Sequence, residues 1–378
     1  MIPNASFGGV PNAAALSFEG RFPLWNRYHL YNWSDNLTIN RGPHTFKVGV
    51  YIETFFRHQK KAVPFNGSFD FGRNVNNPLD TNYAYANAML GVFNSYTEIS
   101  GPAWMRQRTG GREFFLQDNW KVTRKLVLDY GLRMYYTLPI TERDNFMAGF
   151  VAGLYDPGRA PQLIQPAKIG GKRVGVHPVS GQIYAVAQIG AIAPGVGNPY
   201  NGMVVGGEGG YPRALVKTRG LQWGPRFGFA YDLFGDGKTA VRGGLGLFYN
   251  RFFTEGFAGP LTGQPPLLET PVVSFGELKT LLSSTGLVFP SDVVGADVEG
   301  YLPMVMNFSL SVQRDLGYGT VLDVGYGGSL GRHLLWRRDV NPIPLGANFD
   351  PKNADATTGL PLPAAFLRPY IGFNNILI

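Results

Sequence analysis

Eight ionisable residues, Lys47, Glu53, Arg57, Asp129, Arg133, Arg226, Asp232 and Arg242, lie on the polar side of segments in which apolar and polar residues alternate. Charges at a period of two share one face of an extended strand. Their chemistry is electrostatic: they set the field felt by a solute or form ion pairs with an inserted segment. Simple solvation of a wet wall is the alternative. Covalent chemistry finds no footing. His29, His44, His58, His177 and His333 lack metal-ligand spacing, and no nucleophile, base and orienting acid fall together. Gly237-Lys238-Thr239 matches the end of a phosphate-binding loop, but residue 232 is Asp where that motif requires Gly. Gly325-Tyr326-Gly327-Gly328 lacks the third glycine and following helix of a dinucleotide fingerprint. No catalytic residue, metal site or cofactor is expected, and the chain reads as a non-enzyme.

The elements that position the charges are hairpins. In the clearest, Leu221, Trp223, Phe227, Phe229, Tyr231 and Leu233 share one face, and Gln222, Gly224, Arg226, Gly228, Ala230 and Asp232 the other. The turn Phe234-Gly235-Asp236-Gly237-Lys238 supplies left-handed backbone angles. The return arm alternates Val241, Leu245, Leu247 and Tyr249 with Arg242, Gly244, Gly246 and Asn250, although Phe248 falls on the polar side. A second hairpin joins about residues 30 to 40 to about 44 to 59 through Asn40-Arg41-Gly42-Pro43. A third pairs Glu113 to Val122 with Leu126 to Thr137. The fourth sets Met304 to Gln313 against Leu322 to Tyr326 across Asp315-Leu316-Gly317-Tyr318-Gly319.

Alternation alone leaves open which face is outside, since a soluble sandwich alternates too. Arm length favours a membrane. Several arms run for about ten residues, against ~5 to 6 in soluble strands and ~9 to 11 in membrane strands. Tyr31, Trp33, Trp120, Tyr135, Tyr136, Tyr231, Tyr249 and Trp336 recur towards strand ends, where amphipathic rings sit at headgroup level. Charged residues make up 16% of the chain, below the ~25% typical of soluble proteins. No apolar stretch approaches the ~18 residues of a membrane helix. The 34 basic residues are scattered and the net charge of +8 comes without a nucleic-acid module, so nucleic acid is not an expected partner. Cysteine is absent, which excludes disulfides and thiolate sites. Met1-Ile2-Pro3-Asn4-Ala5 lacks the basic and apolar regions of a signal peptide.

About residues 60 to 110, 138 to 220 and 253 to 302 form long Gly-, Pro- and Asn-rich connections, a length that points to function or disorder. Short helices are expected at Tyr83 to Leu90 and Phe275 to Leu282, with one further strand pair at Asn66 to Gly72 and Phe93 to Arg108. The count is thus eight strands, or ten with that pair. Loop aromatics, among them Phe65, Phe69, Tyr83, Tyr85, Tyr200, Tyr211 and Phe257, offer stacking surfaces for a ligand, with mutual packing as the alternative.

Glu113-Phe114-Phe115-Leu116-Gln117-Asp118-Asn119-Trp120-Lys121-Val122-Thr123, followed by Leu126-Val127-Leu128-Asp129-Tyr130-Gly131-Leu132-Arg133, resembles the barrel of TonB-dependent outer-membrane transporters, especially their Oar-like branch. Pro225 to Asp232 and Gly325 to Leu334 are similar to further segments of that branch. The resemblance implies a barrel of ~22 strands with a plugged lumen, an N-terminal plug, and transport driven by an inner-membrane energy-transducing complex. This chain shows no plug domain, no TonB-box-like segment and fewer strands. Two open edges would be prohibitive in lipid. The expectation is therefore an all-β chain. Residues 1–378 would form a partial antiparallel transmembrane β-barrel of about 8 to 10 strands, with long extracellular loops and short periplasmic turns. It would be a fragment of an outer-membrane transporter or receptor from a Gram-negative-type bacterium. Its expected partners are outer-membrane lipid, a large unidentified solute, and a TonB-type complex acting through a missing N-terminal region. A structural or adhesion barrel and a soluble carbohydrate-binding β protein are the alternatives.

Overall fold

A computed structural model describes residues 2–14, 16–18, 25–61, 63, 65–252 and 254–378. Its largest element is an eight-stranded antiparallel sheet. The strands are β1 (Asn26–Arg41), β2 (His44–Lys60), β3 (Trp104–Lys121), β4 (Leu126–Glu142), β5 (Leu221–Asp232), β6 (Thr239–Tyr249), β7 (Met304–Gly317) and β8 (Thr320–Arg332). Each strand pairs with its sequence neighbours, so the sheet runs up and down from β1 to β8. Among the described residues β1 and β8 have one neighbour each.

All four expected hairpins are present. Their short turns gather at one end of the sheet, the periplasmic end, and the long connections at the other, the extracellular end. Gly42 takes a φ of +58° in the first turn, a conformation that favours glycine. The strands are long because nothing interrupts the alternation. β2 has 17 residues and β3 has 18, beyond what a bilayer crossing requires.

Burial settles which face is outside. On strands with two neighbours the apolar face is the exposed one: Leu116 is 53% exposed, Leu310 52%, Trp223 51% and Leu245 48%. A soluble sandwich would bury this face against a second sheet. The chain is therefore an all-β transmembrane barrel wall with its greasy side towards lipid, and the soluble carbohydrate-binding alternative falls.

The long connections are folded. Asn4–Ser6, Ser68–Asp70, Val92–Thr97 and Val272–Glu277 form one small sheet, drawing segments far apart in sequence together. Ala148–Phe150 pairs with Met203–Val205, and Gln165–Ile169, Lys172–Val176 and Ile183–Tyr184 form a three-stranded sheet. Phe373–Leu377 runs parallel to Ser291–Val294. Apolar clusters lie beneath these sheets, one around Phe150, Val293, Phe373 and Ile376 and another around Ile140, Met147, Leu215 and Leu261. This assembly is called the cap below.

Three expectations change in detail. The first helix is present as Ala84–Leu90. The second is instead the strand Val272–Glu277 followed by a 3₁₀ turn at Leu278–Ser283, because β-branched Val272 and Val273 find a partner strand in Val92–Thr97. The further strand pair is real but short. Ser68–Asp70 pairs with Val92–Thr97 in the cap, while Trp104 to Arg108 extends β3, so the wall has eight strands rather than ten.

Candidate functional site

Cross-strand neighbours point to the same face of a sheet. Lys47 lies opposite Gln117, Gln117 opposite Gly131, Gly131 opposite Arg226, and Arg226 opposite Gly246. Arg133 stands two residues from Gly131 on this face, Asp129 is opposite Asn119, and Arg242 is opposite Ala230. Glu53 and Arg57 follow Lys47 at even spacing, and Asp232 follows Arg226 likewise. All eight predicted charges therefore share the face opposite the lipid-facing one.

What they do there differs. Arg133 Nε donates to Glu113 Oε2 at 2.6 Å, and its guanidinium carbon lies 5.7 Å and 5.6 Å from the ring centres of Phe115 and Tyr135. Arg226 donates to the Tyr135 hydroxyl at 3.2 Å and sits 4.6 Å above the Phe248 ring. Phe248, which broke the alternation of β6, is the seat for that arginine. Glycine makes the space. A Cβ on Gly131 would stand 2.7 Å from the Leu116 carbonyl oxygen, and one on Gly224 would stand 2.8 Å from the Tyr135 ring. A cleft of about 160 Å³ opens between Phe115, Gln117, Gly131, Arg133 and Arg226. Asp129 accepts from Gln117 Nε2 at 3.0 and 3.1 Å and from Asn119 Nδ2 at 3.3 Å, which fixes its carboxylate without a cation.

Glu53 and Arg57 work at the junction with the cap. Glu53, 6% exposed, accepts from the Tyr51 hydroxyl at 2.6 Å and pairs with Arg251, which follows β6 and reaches across three intervening strands. Arg57 donates to Gln107 and Gln59. Gln107 donates to the Thr262 hydroxyl at 3.3 Å, and Lys61 Nζ to the Thr262 carbonyl at 2.6 Å. Glu142, 1% exposed, accepts backbone N–H groups of Arg106, Asp144 and Phe146. The cap is thus bolted to the inner face by polar groups.

Asp232 lies apart from this network. Its carboxylate accepts the N–H groups of Gly235 and Gly237 at 2.9 and 3.0 Å and closes a turn. Lys47 and Arg242 are exposed, with no carboxylate partner among the described residues. The inner face is also lopsided. One row across β5 to β8 is bare, with Gly228, Gly244, Ser309 and Gly327 as successive cross-strand neighbours between Arg226 and Arg242.

Glu113 and Phe115 were not singled out from sequence, and Tyr135, expected at headgroup level, instead faces inward and receives Arg226. They share the parity of Arg133, but only the β3–β4 register shows that they meet it. The loop aromatics mostly pack on one another. Phe69 stacks on Phe71 and meets Tyr96 at a tilt, Tyr83 meets Tyr85 edge-on, and Phe257 stacks on Phe252 at 4.6 Å. Phe65 joins the cluster around Ile99. Tyr200 donates to Glu269, and burial followed by that hydrogen bond pushes its phenol up to about 12.

A family model described as "Outer membrane beta barrel domain" matches residues 1–378. No curated protein matches the chain. The solved structure titled "Copper transporter OprC" aligns at a TM-score of 0.31 and 11% identity, over 81% of this chain and 39% of its own. The chain thus spans well under half the length of that structure.

Proposed function

Because this chain belongs to the outer membrane β-barrel domain family, and so resides in the outer membrane, we propose that it supplies part of the wall of a transport or receptor barrel of the TonB-dependent, Oar-like kind. In this reading residues 1–378 are a partial barrel that takes up or binds a large solute. Energy comes from a TonB-type complex of the inner membrane. The observation that carries the reading is the polar lining, where Arg133 and Arg226 stand on aromatic seats over a cleft while the opposite face meets lipid. A barrel serving only as a membrane anchor has no need of such a lining. The expected residue roles are electrostatic, with Arg226, Lys47 and Arg242 presenting positive charge to the lumen, Arg133 paired with Glu113, and Asp129 a fixed negative charge.

The test begins with the full-length reading frame. Its product should fractionate with outer membranes as a heat-modifiable β protein, and deleting its gene should abolish uptake of at least one large solute in a panel. Arg133→Gln with Arg226→Gln should lower that uptake at unchanged protein level. Undiminished uptake of every solute tested after deletion, with loss of surface attachment instead, would favour the adhesion barrel.

A further inference from the structure

The lipid-facing side of β3 changes character along its length. From the short turn upward it presents Trp120, Asp118, Leu116, Phe114, Arg112, Gly110, Arg108 and Arg106. Asp118 is shielded, with 4% exposure, and is met by His44 at 2.7 Å and the Tyr130 hydroxyl at 2.9 Å. Arg108 and Arg112 are exposed. At about 3.4 Å per residue and a tilt of about 40°, Arg112 stands roughly 20 Å above Trp120. That is near the far border of an apolar band ~25 Å tall. Tyr136 lies opposite Arg112, and Leu221 opposite Tyr136. These arginines therefore sit at the headgroup level of the leaflet that faces the long loops.

A groove of about 670 Å³ opens beside them, lined by Arg108, Arg213 and Lys217 together with apolar Leu138, Pro139 and Val216, and by no carboxylate. A bulge in β4 creates it: Leu138 pairs with Gly110, whereas Thr141 pairs with Arg108. The neighbouring charges leave an excess of cations. Arg106 is neutralised by Asp144 at 2.9 Å, and Lys217 and Arg219 share Glu299. Arg213 Nη2 donates to the Glu142 carbonyl at 2.9 Å. Arg108 lies 5.3 Å over the lipid-facing Phe56 ring, and neither it nor Arg112 has a carboxylate partner among the described residues.

We propose that this groove, with Arg112 below it, docks a lipid whose phosphate headgroup carries net negative charge. The guanidinium fork matches phosphate oxygens, and the adjoining apolar band takes the acyl chains. A zwitterionic headgroup would leave the excess cations without counter-charge, and a soluble protein partner would have to enter the leaflet to reach Arg112. The site lies on the outside of the wall, so it does not depend on the transport reading.

The experiment uses protein isolated from its membrane and reconstituted into phosphatidylcholine bilayers doped with phosphatidic acid. Native mass spectrometry then counts the lipids retained. Wild type should hold phosphatidic acid in preference to phosphatidylcholine. Each of Arg108→Gln and Arg112→Gln should cut retention ~5-fold, as expected for one cation at an anionic surface. The double change Arg108→Lys with Arg112→Lys should keep most of the preference and guards against a folding defect. Equal retention by wild type and the Gln variants would overturn the proposal. So would retention of phosphatidylcholine equal to that of phosphatidic acid. Displacement of the lipid by free inorganic phosphate would assign the groove to a soluble anion and overturn it as well.

Discussion

In the cap, Phe93, Phe150 and Phe373 are at most 1% exposed; in the wall, Trp33, Leu116 and Tyr326 are 55%, 53% and 69% exposed. The same residue types obey opposite rules because the two regions have different solvents. In the cap, water drives aromatic rings together. In the wall, lipid tails are as apolar as the side chains, so stability rests on the backbone ladders that pair N–H and C=O groups from β1 through β8. The polar groups are inverted in step. Glu53, Arg57 and Gln107 are buried where wall and cap meet, a place where neither solvent reaches and each group must find a partner.

The contrast is open to direct attack. The largest effect is expected from Phe150→Ala. That ring packs on Tyr155, Tyr370 and Phe373, and its loss should cost the cap about 3–5 kcal/mol. Amide exchange in Met203–Val205 and Phe373–Leu377 should rise while β2 to β4 stay protected; equal loosening of both would show that the regions are one cooperative unit. Next comes a paired substitution at one height of the wall. Leu245→Arg, facing lipid, should destabilise by about 2–4 kcal/mol, whereas Asn307→Arg, facing inward, should cost little. Denaturant unfolding from bilayers reads the difference, and equal costs would contradict the assignment of faces.

A smaller effect follows from cutting a bolt between the regions. Glu53→Ala leaves Arg251 and the Tyr51 hydroxyl without their acceptor and should weaken cap attachment by about 1–3 kcal/mol. Faster protease cleavage in residues 253 to 302, with the strands intact, is the expected sign. The smallest effect is a pH dependence confined to the cap. Burial alone would raise the Asp355 carboxyl, but hydrogen bonds from Thr357 and Arg173 outweigh it and hold it below the ordinary Asp value. A lowered folded value contributes stability that is present above the unfolded value, and the contribution is lost as pH falls through the folded one. The pairing of Gln165–Ile169 with Lys172–Val176 should loosen only at acid pH below the usual Asp range, and Asp355→Asn should remove that dependence.

Much of the wall was legible because a period of two over ten residues survives without knowledge of any partner. β3 shows the limit. Its first half lies outside the expected arm, which begins at Glu113, and Trp104 to Arg108 reads as part of a separate strand, because Arg106, Arg108 and Arg112 occupy the lipid-facing positions and an apolar alternation cannot register charges at a membrane border. The alternation assigns the eight charges to one face, but not their partners, since Glu113 meets Arg133 only through a register that sequence does not print. Asp232 carries the parity of a lining residue and yet spends both oxygens on its own turn. The cap was opaque for a different reason. Its strands are two to six residues long and pair across separate connections, as Asn4–Ser6 does with Ser68–Asp70, so no local pattern announces them.

The bare row of the inner face has a kinetic meaning. Along Gly228, Gly244, Ser309 and Gly327 there is almost nothing to rotate. A body sliding along that row, between Arg226 on one side and Arg242 on the other, meets no long side chain that must change rotamer and no charge that must first shed water. In the transport reading, friction and selectivity are concentrated on β2 to β4 and at Arg226 and Arg242, so mutations there should change rates, while those along the bare row should change only the width.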